Sequence, residues 1–371
     1  MDQYLDDRRL TGLEVLMGGG RKWFLPETTA GSQRGNGTDY VLPPDIVTGW
    51  GTAAGAKDPG RDLIADFERA GFTYAATSSD LHHVSGSTDK LLGLFALSNM
   101  NVAKDKIDGR RGTTTLVNDY LFPDQPMLDE MTAKALGVLK SKPNGFVLMV
   151  EGASIDKQAH NMDSERWILD TIEFDRAIAV AKRFAEEHGD TLVIVTADHE
   201  CAGINIIGGS LVTNSDLVAR SKSGAGVNPG GPRNAVVGIY DAAGFPRYEI
   251  AADGYPVTTD VDHRMLIGYA ANADRYEDWL TNAKPLQDSQ QPFVKSPPLS
   301  EYPKTPLNRD KDGGFLVTGQ IEDSVAAHTA SDIPLSAYGK GARSFTGVMD
   351  NTDVFFKILR AETRENNEHD D

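Results

Sequence analysis

The segment that decides the fold is Met149-Val150-Glu151-Gly152-Ala153-Ser154-Ile155-Asp156-Lys157-Gln158-Ala159-His160. It overlaps an apolar run, residues 146–150, which predicts a short strand with Glu151 at its end. If Asp156 opens a helix, His160 lies four residues further on and shares its face. A cation between these two side chains would take one oxygen and one nitrogen ligand. The spacing is therefore typical of a metal site.

A second apolar run predicts another strand that ends in metal-ligand residues. Residues 191–197 are uncharged and rich in β-branched side chains, and Asp198, His199 and Glu200 follow them. Central strands of a parallel sheet are buried on both faces, and ligands bind outside their carboxyl ends. We therefore expect an α/β fold with a mostly parallel central sheet flanked by helices. Both acid–histidine clusters should then face one cleft.

A third histidine, His328, stands shortly before a strand-like segment at residues 333–339. Taken alone, an acid four residues before a histidine is more often a helix cap with a surface histidine than a metal site. Three such clusters together favour metal binding. Imidazole and carboxylate ligands without a thiolate suit zinc at a catalytic site, and paired cations commonly hydrolyse phosphate esters. The clusters predict a metal-dependent hydrolase.

The three motifs also carry a family resemblance. VEGASIDKQAH (150–160), VTADHE (195–200) and AAHTASDIPLSAYG (326–339) occur in the order found in alkaline phosphatases, a family that the chain resembles. Weaker similarity covers GLEVLMGGGRKWF (12–24), GRDLIADFERAGFTYAAT (60–77) and GVMDNTDVFF (347–356). The resemblance implies an alkaline-phosphatase-like sheet and a phosphomonoester hydrolase that uses two zinc ions, one magnesium ion and a phosphoserine intermediate.

The resemblance assigns three ligands to the first zinc ion, two to the second and one to magnesium. In that order they are Asp156, His160 and His328, then Asp198 and His199, then Glu151. In the family, the first zinc holds the water that hydrolyses the phosphoenzyme. The carboxylate near magnesium positions a magnesium-bound water.

The nucleophile of the family is a serine in an Asp-Ser-Ala type motif at the head of a helix. The Asp-Ser pairs of this chain are Asp163-Ser164, Asp288-Ser289 and Asp323-Ser324, and they are followed by Glu, Gln and Val. We therefore assign no catalytic residue within this chain. The nucleophile, the bridging aspartate and the phosphate-binding arginine are expected in a segment before it.

Three interpretations remain open from the sequence. The chain is the larger part of a phosphomonoesterase, or it is a truncated, catalytically poor zinc-binding remnant. It could also belong to another group of binuclear-metal hydrolases, such as phosphodiesterases or sulfatases, although these are not expected to carry VEGASIDKQAH. The nucleotide sequence before the codon of Met1 would separate the first two.

The distribution of residue types along the chain predicts three regions. Residues 1–207 are expected to form the metal-binding α/β core, with amphipathic helices at residues 61–70, 126–139 and 163–188. Residues 208–320 are rich in glycine and proline and predict an inserted, irregular or β segment, either a cap or crown over the cleft or part of an oligomer contact. Residues 321–371 return to the core and end in an acidic tail.

Composition excludes several partner classes. The chain of 371 residues has 54 acidic and 37 basic side chains, a net charge of −17, which argues against nucleic acid. No apolar stretch is long enough to span a membrane, and the first seven residues do not resemble a signal peptide. The resemblance implies a phosphate monoester substrate, a periplasmic or secreted location and a homodimer.

The single cysteine, Cys201, follows directly after the Asp198–Glu200 cluster. One cysteine allows no disulfide within the chain. We expect Cys201 to be a buried structural thiol rather than a metal ligand.

Overall fold

The hydrophobic pattern places most helices, and the available neighbours decide which apolar runs become strands. A computed structural model describes residues 1–34, 58–113, 122–209, 248–262, 265–271 and 325–363. The α-helices described are α1 (Asp2–Asp6), α2 (Arg8–Thr11), α3 (Leu63–Arg69), α4 (Ser78–His83), α5 (Ala103–Arg111), α6 (Leu128–Leu139), α7 (Ser154–His160), α8 (Ser164–His188) and α9 (Asn351–Thr363). The strands described are β1 (Val15–Gly18), β2 (Thr73–Ala75), β3 (Leu91–Leu94), β4 (Leu192–Val195), β5 (Glu200–Cys201), β6 (Ile204–Gly209), β7 (Met265–Tyr269), β8 (His328–Thr329) and β9 (Ser336–Gly339).

The chain divides into two units. The first comprises residues 1–101 and 109–149 and is built on a three-stranded parallel sheet in the order β1-β3-β2. All four residues of β3 are buried, as expected for the middle strand of a parallel sheet. Leu91 of β3 is the register partner of both Val15 and Thr73. A parallel sheet together with helices confirms the predicted α/β class.

Helix α3 shows how local sequence and core packing agree in the first unit. The side chain of Asp62 accepts a hydrogen bond from Ala65 N at 3.1 Å, which caps the helix. Phe67 is fully buried, and its ring meets the edge of Phe72 at a centroid distance of 4.9 Å. Burying one such ring contributes about 1.5–3 kcal/mol. The helices predicted at residues 61–70 and 126–139 are confirmed as α3 and α6.

A buried arginine closes the carboxyl end of this sheet. After β1 the chain turns through Gly20, whose φ of +80° favours glycine, and this turn directs Arg21 inward. The guanidinium is 3% exposed and donates to the carbonyl oxygen of Leu94, where β3 ends, and to that of Ala76 at 2.7 Å. The guanidinium thereby satisfies carbonyl groups at the ends of two neighbouring strands.

Residues 146–150 do not form the predicted strand. Val147 and Met149 are 78% and 85% exposed. A strand needs a hydrogen-bonding neighbour, and none of the strands described pairs with this run. This segment therefore belongs to no sheet within the described part of the chain, although its apolar residues are typical of a strand.

The second unit comprises residues 102–108 and 150–371. Its described strands pair antiparallel in twos, β4 with β9, β5 with β8 and β6 with β7. The strand predicted at residues 191–197 is confirmed as β4, but its partner among the described residues is the antiparallel β9, with Val193 opposite Tyr338. Its four residues are only partly buried. The expected position between two parallel neighbours is therefore not observed in the described chain.

Helix α8 confirms the helix predicted at residues 163–188. The carboxylate of Asp163 caps it by accepting from Arg166 N at 3.2 Å, and Gly189 ends it in the left-handed region at φ +73°. Ser164, the serine of the first Asp-Ser pair, is buried and donates to Asp262. Its hydroxyl is therefore engaged in a hydrogen bond within the protein. No helix in the described ranges is both long and apolar enough to cross a membrane.

A buried cluster of charged side chains joins α8 to the first turn of α5. Lys106 pairs with Glu173, and Arg166 lies 3.3 Å from Asp105, with side chains no more than 8% exposed. Asp170 accepts from Ala103 N at 3.1 Å. Burial, and then the charge of Glu173, raise the pKa of Asp170 well above its usual value and favour its neutral form. The charge of Lys106 therefore mainly balances that of Glu173.

Most of the predicted insert, residues 208–320, lies outside the described residues. Within it, β7 pairs with β6, and Tyr255 and Val261 are buried. The domain boundaries at residues 207 and 320 stay predictions. Helix α9 falls in the segment predicted to return to the core, whereas the acidic tail after residue 363 lies outside the described residues.

Candidate metal centre

Helix α7 presents the first two predicted ligands on one face. Asp156 and His160 are four residues apart, and Asp156 Oδ1 lies 3.4 Å from His160 Nε2. The helix rests on an apolar cluster that includes Ala159, Met162 and Tyr269. Met162 follows shortly after the end of α7 and has a φ of +54°, which is uncommon for a residue other than glycine.

The third predicted ligand, His328, lies on the short strand β8, which runs beside helix α7. Ala326 N donates to the carbonyl oxygen of His160 at 2.8 Å, which fixes the chain two residues before His328. His328 Nε2 then lies 3.0 Å from His160 Nε2 and 3.2 Å from Asp156 Oδ1. The structure thus brings together the three residues predicted for the first zinc ion.

The three ligand atoms have the dimensions of one face of a coordination tetrahedron. Their separations are 3.0, 3.2 and 3.4 Å. With zinc–ligand bonds of about 2.0 Å, a regular tetrahedron has edges of about 3.3 Å. The side chains of Asp156, His160 and His328 are 37%, 27% and 43% exposed, so one side of the triangle faces solvent. Three protein ligands with an open fourth position are the arrangement of a catalytic rather than a structural zinc site.

A carbonyl oxygen orients the ring of His160. Its Nδ1 lies 2.6 Å from the oxygen of Ala326, so Nδ1 carries the proton and donates. Nε2 is therefore left with its lone pair directed at Asp156 and His328. Such a partner behind a ligand histidine fixes the ring and makes the free nitrogen a better ligand.

His199 and Asp198 lie beside this triangle but are not part of it. The ring of His199 stacks on that of His328 at 3.6 Å between centroids, and its Nδ1 is 4.0 Å from Asp156 Oδ1. This nitrogen is buried and has no hydrogen-bond partner among the residues that the structure describes. Asp198 is 84% exposed, with Oδ2 at 3.2 Å from His199 Nε2. A buried nitrogen that lacks a partner fits a ligand role for His199.

Glu151 is the predicted ligand that the structure does not bring to the cluster. It is exposed, and it is not among the four described residues whose ligand atoms converge. Its assignment therefore still rests on the resemblance.

Cys201 is the residue that the sequence interpretation missed as a neighbour of the ligands. It is buried, as expected, and burial raises the pKa of its thiol well above the usual value. Its Sγ also belongs to a group of ligand atoms, with those of Asp156, His160 and His328, that all lie within 4.8 Å of one another. A faint signal was present, because His199 and Cys201 are two residues apart and share a face of an extended chain.

Glu200 holds the two strands that carry Cys201 and His328. Its carboxylate accepts from Gly203 N and Ile204 N, each at 2.9 Å, and from the hydroxyl of Thr329. Burial acts to raise the pKa of Glu200, but these hydrogen bonds outweigh it and lower the pKa below the usual value. The side chain is therefore a structural brace rather than a ligand.

Replacing Glu200 by glutamine is expected to cost about 1–3 kcal/mol of unfolding free energy and to weaken zinc binding about 10-fold. An amide cannot accept three hydrogen bonds with the strength of a carboxylate. Because the folded-state pKa is lowered, the carboxylate stabilises the fold above its unfolded pKa, and this contribution is lost as the pH falls through the folded value. Urea unfolding at pH 7 and below pH 4 should show the difference shrinking in acid, with the exposed Glu187→Gln as control.

The described architecture and site define an α/β protein with a convergent set of metal-type ligands. The chain belongs to the alkaline phosphatase family, whose model matches residues 1–363. Members of this family are metal-dependent hydrolases. The predicted family is therefore confirmed.

Individual relatives agree with this assignment. The chain is 39% identical to alkaline phosphatase H of Pseudomonas aeruginosa over 86% of its own length and 52% of the relative. It is 31% identical to alkaline phosphatase of Escherichia coli, covering 92% of this chain and 59% of the relative. The chain thus spans about half to three fifths of the length of these relatives. The alkaline phosphatase of Thermus thermophilus has a similar fold, with a TM-score of 0.51 at 21% identity over 97% of this chain and 64% of that one.

Proposed function

We propose that the chain provides the zinc-binding part of a phosphomonoester hydrolase. Asp156, His160 and His328 would hold one zinc ion. The observation that carries the proposal is the 3.0–3.4 Å triangle of their ligand atoms, which has the size of a tetrahedral face and opens to solvent. When bound there, zinc would supply Lewis-acid catalysis and would lower the pKa of a coordinated water to about 7.

A second zinc ion would be held by Asp198 and His199, and magnesium by Glu151. The second site is supported by Nδ1 of His199, which is buried and makes no hydrogen bond within the described ranges, and its 4.0 Å distance from Asp156 Oδ1 would keep the two sites adjacent. The phosphoserine mechanism of the family requires a serine that the Asp-Ser pairs of this chain do not supply in the family motif. That step is therefore proposed for the complete protein.

In this proposal, the residues of this chain position the metal ligands, and none of them acts as the nucleophile. Ala326 keeps the proton on Nδ1 of His160, so that Nε2 is available as a ligand. Glu200 and Thr329 keep β8 in register, so that His328 meets α7. Asp198 lies within 3.2 Å of His199 Nε2 and would orient that ring or bind beside it.

The substrate class can be tested with three chromogenic esters. The zinc- and magnesium-loaded chain is expected to hydrolyse p-nitrophenyl phosphate slowly, and faster than either bis-p-nitrophenyl phosphate or p-nitrophenyl sulfate. Chelation by EDTA, or the substitution His328→Ala, should remove the activity. Faster cleavage of the diester or the sulfate would favour the phosphodiesterase or sulfatase alternative. Zinc binding without any turnover would favour the catalytically poor remnant.

Location and assembly are proposed from the family alone. We infer a periplasmic or secreted protein that acts on phosphate monoesters as a homodimer. Size-exclusion chromatography with light scattering would test the dimer directly.

A further inference from the structure

The metal centre has a buried side as well as an open one. The three ligand side chains are between 27% and 43% exposed, whereas Cys201 is 8% exposed. The thiol is therefore the most buried of the four groups whose ligand atoms converge. A solvent molecule and this thiol are thus the two candidates for a fourth ligand beside Asp156, His160 and His328.

Backbone pairing holds the thiol in this place. Cys201 of β5 is the register partner of His328 of β8, and side chains of directly opposite residues project to the same face of an antiparallel pair. Ala202 N donates to the carbonyl oxygen of Ala327 at 2.8 Å, which ties the strands together beside the site. The thiol also lies 3.6 Å from the carbonyl oxygen of Asp156, at the ligand helix.

The distances allow the sulfur to enter the coordination shell. Sγ lies within 4.8 Å of each ligand atom of Asp156, His160 and His328. In a tetrahedral zinc site with a Zn–S bond of about 2.3 Å, the sulfur–nitrogen edges are about 3.5 Å, so the largest closure needed is about 1.3 Å. Rotation of the cysteine and aspartate side chains covers such a distance without moving the strands.

We propose that Cys201 is a fourth protein ligand, which turns the open Asp-His-His centre into a closed Asp-His-His-Cys site for soft divalent cations such as Zn²⁺ and Cd²⁺. As the sulfur–metal bond forms, the thiol proton passes to solvent and the coordinated water leaves. The closed form binds the cation more tightly and lacks the free position that hydrolysis needs. This inference rests on the proposed zinc site and adds a means of controlling it.

The experiment uses the fact that Cys201 is the only cysteine of the chain. The reduced, metal-free full chain is titrated with Cd²⁺ while the ultraviolet thiolate-to-metal charge-transfer band is recorded. The band is expected to rise to saturation at one equivalent and to be absent in Cys201→Ser. That variant should bind Cd²⁺ at least about 10-fold more weakly, while Mn²⁺ affinity changes less than about 2-fold, because hard cations do not prefer sulfur.

A second measurement does not depend on the folding of a variant. X-ray absorption spectroscopy of the wild-type chain with one equivalent of zinc should show one sulfur neighbour at about 2.3 Å. One equivalent of metal bound without a sulfur neighbour or a charge-transfer band would overturn the role of Cys201 and leave the proposed zinc site standing. Failure to bind any metal, or binding that survives His160→Ala, would overturn the zinc site and this inference together.

Discussion

His160→Ala is expected to lower zinc affinity at the first site by more than about 100-fold, beyond the 10- to 100-fold cost of losing only an outer partner. Its Nε2 is one of the three ligand atoms that form the tetrahedral face, and its removal leaves only the carboxylate of Asp156 and the imidazole of His328 on that face. Competition of the metal-free chain with a fluorescent zinc chelator would measure the affinity, and His328→Ala should behave alike.

The chain offers a matched control for this substitution. His188 lies at the exposed end of α8, where its Nδ1 contacts the carbonyl oxygen of Phe184. His188→Ala should therefore leave zinc affinity unchanged. Equal zinc binding by His160→Ala and His188→Ala would contradict the ligand assignment.

The largest stability effect is expected at Lys106. Lys106→Ala leaves the carboxylate of Glu173, which is 6% exposed, without its cation and should lower the unfolding free energy by about 3–5 kcal/mol. Urea unfolding followed by circular dichroism measures this loss. Lys340→Ala, at an exposed position, should change stability by less than about 0.5 kcal/mol.

A double substitution separates the buried charge from the packing. Replacing the pair by Lys106→Met and Glu173→Leu removes both charges and keeps apolar volume, so it should be less destabilising than Lys106→Ala alone. This outcome depends on Asp170 being neutral, as its raised pKa indicates. A double variant that is less stable than the single variant would mean that Lys106 also compensates Asp170.

Periodicity was sufficient to predict three of the described helices. Helices α3, α6 and α8 lie where the spacing of apolar residues placed them, because each packs apolar side chains into the core of its own unit. Strands were harder to predict, because a strand depends on its neighbours. Residues 146–150 have strand-like composition but belong to none of the described sheets, and β4 takes an antiparallel partner from residues 336–339.

The ligand types, their helical spacing and a shared cleft were predicted from the sequence, but the strand pairing that brings Cys201 to His328 was not. Strands β5 and β8 are two residues long, too short for any period to be detected, yet their register decides that Cys201 faces His328. The contact between Ala326 and His160 is likewise set by the tertiary fold. A cysteine beside an aspartate and two histidines therefore emerged only from the three-dimensional arrangement.

The separation of the predicted ligands along the chain also affects the order in which they come together during folding. Asp156 and His160 come together within one helix, whereas His328 is 168 residues away from His160 along the chain. Local pairs form rapidly, but a contact across such a loop must first overcome its closure entropy. Tight zinc capture should consequently be a late event in folding. A bound cation would hold these distant parts of the chain together and would raise the free energy of unfolding by an amount that grows with the logarithm of its affinity.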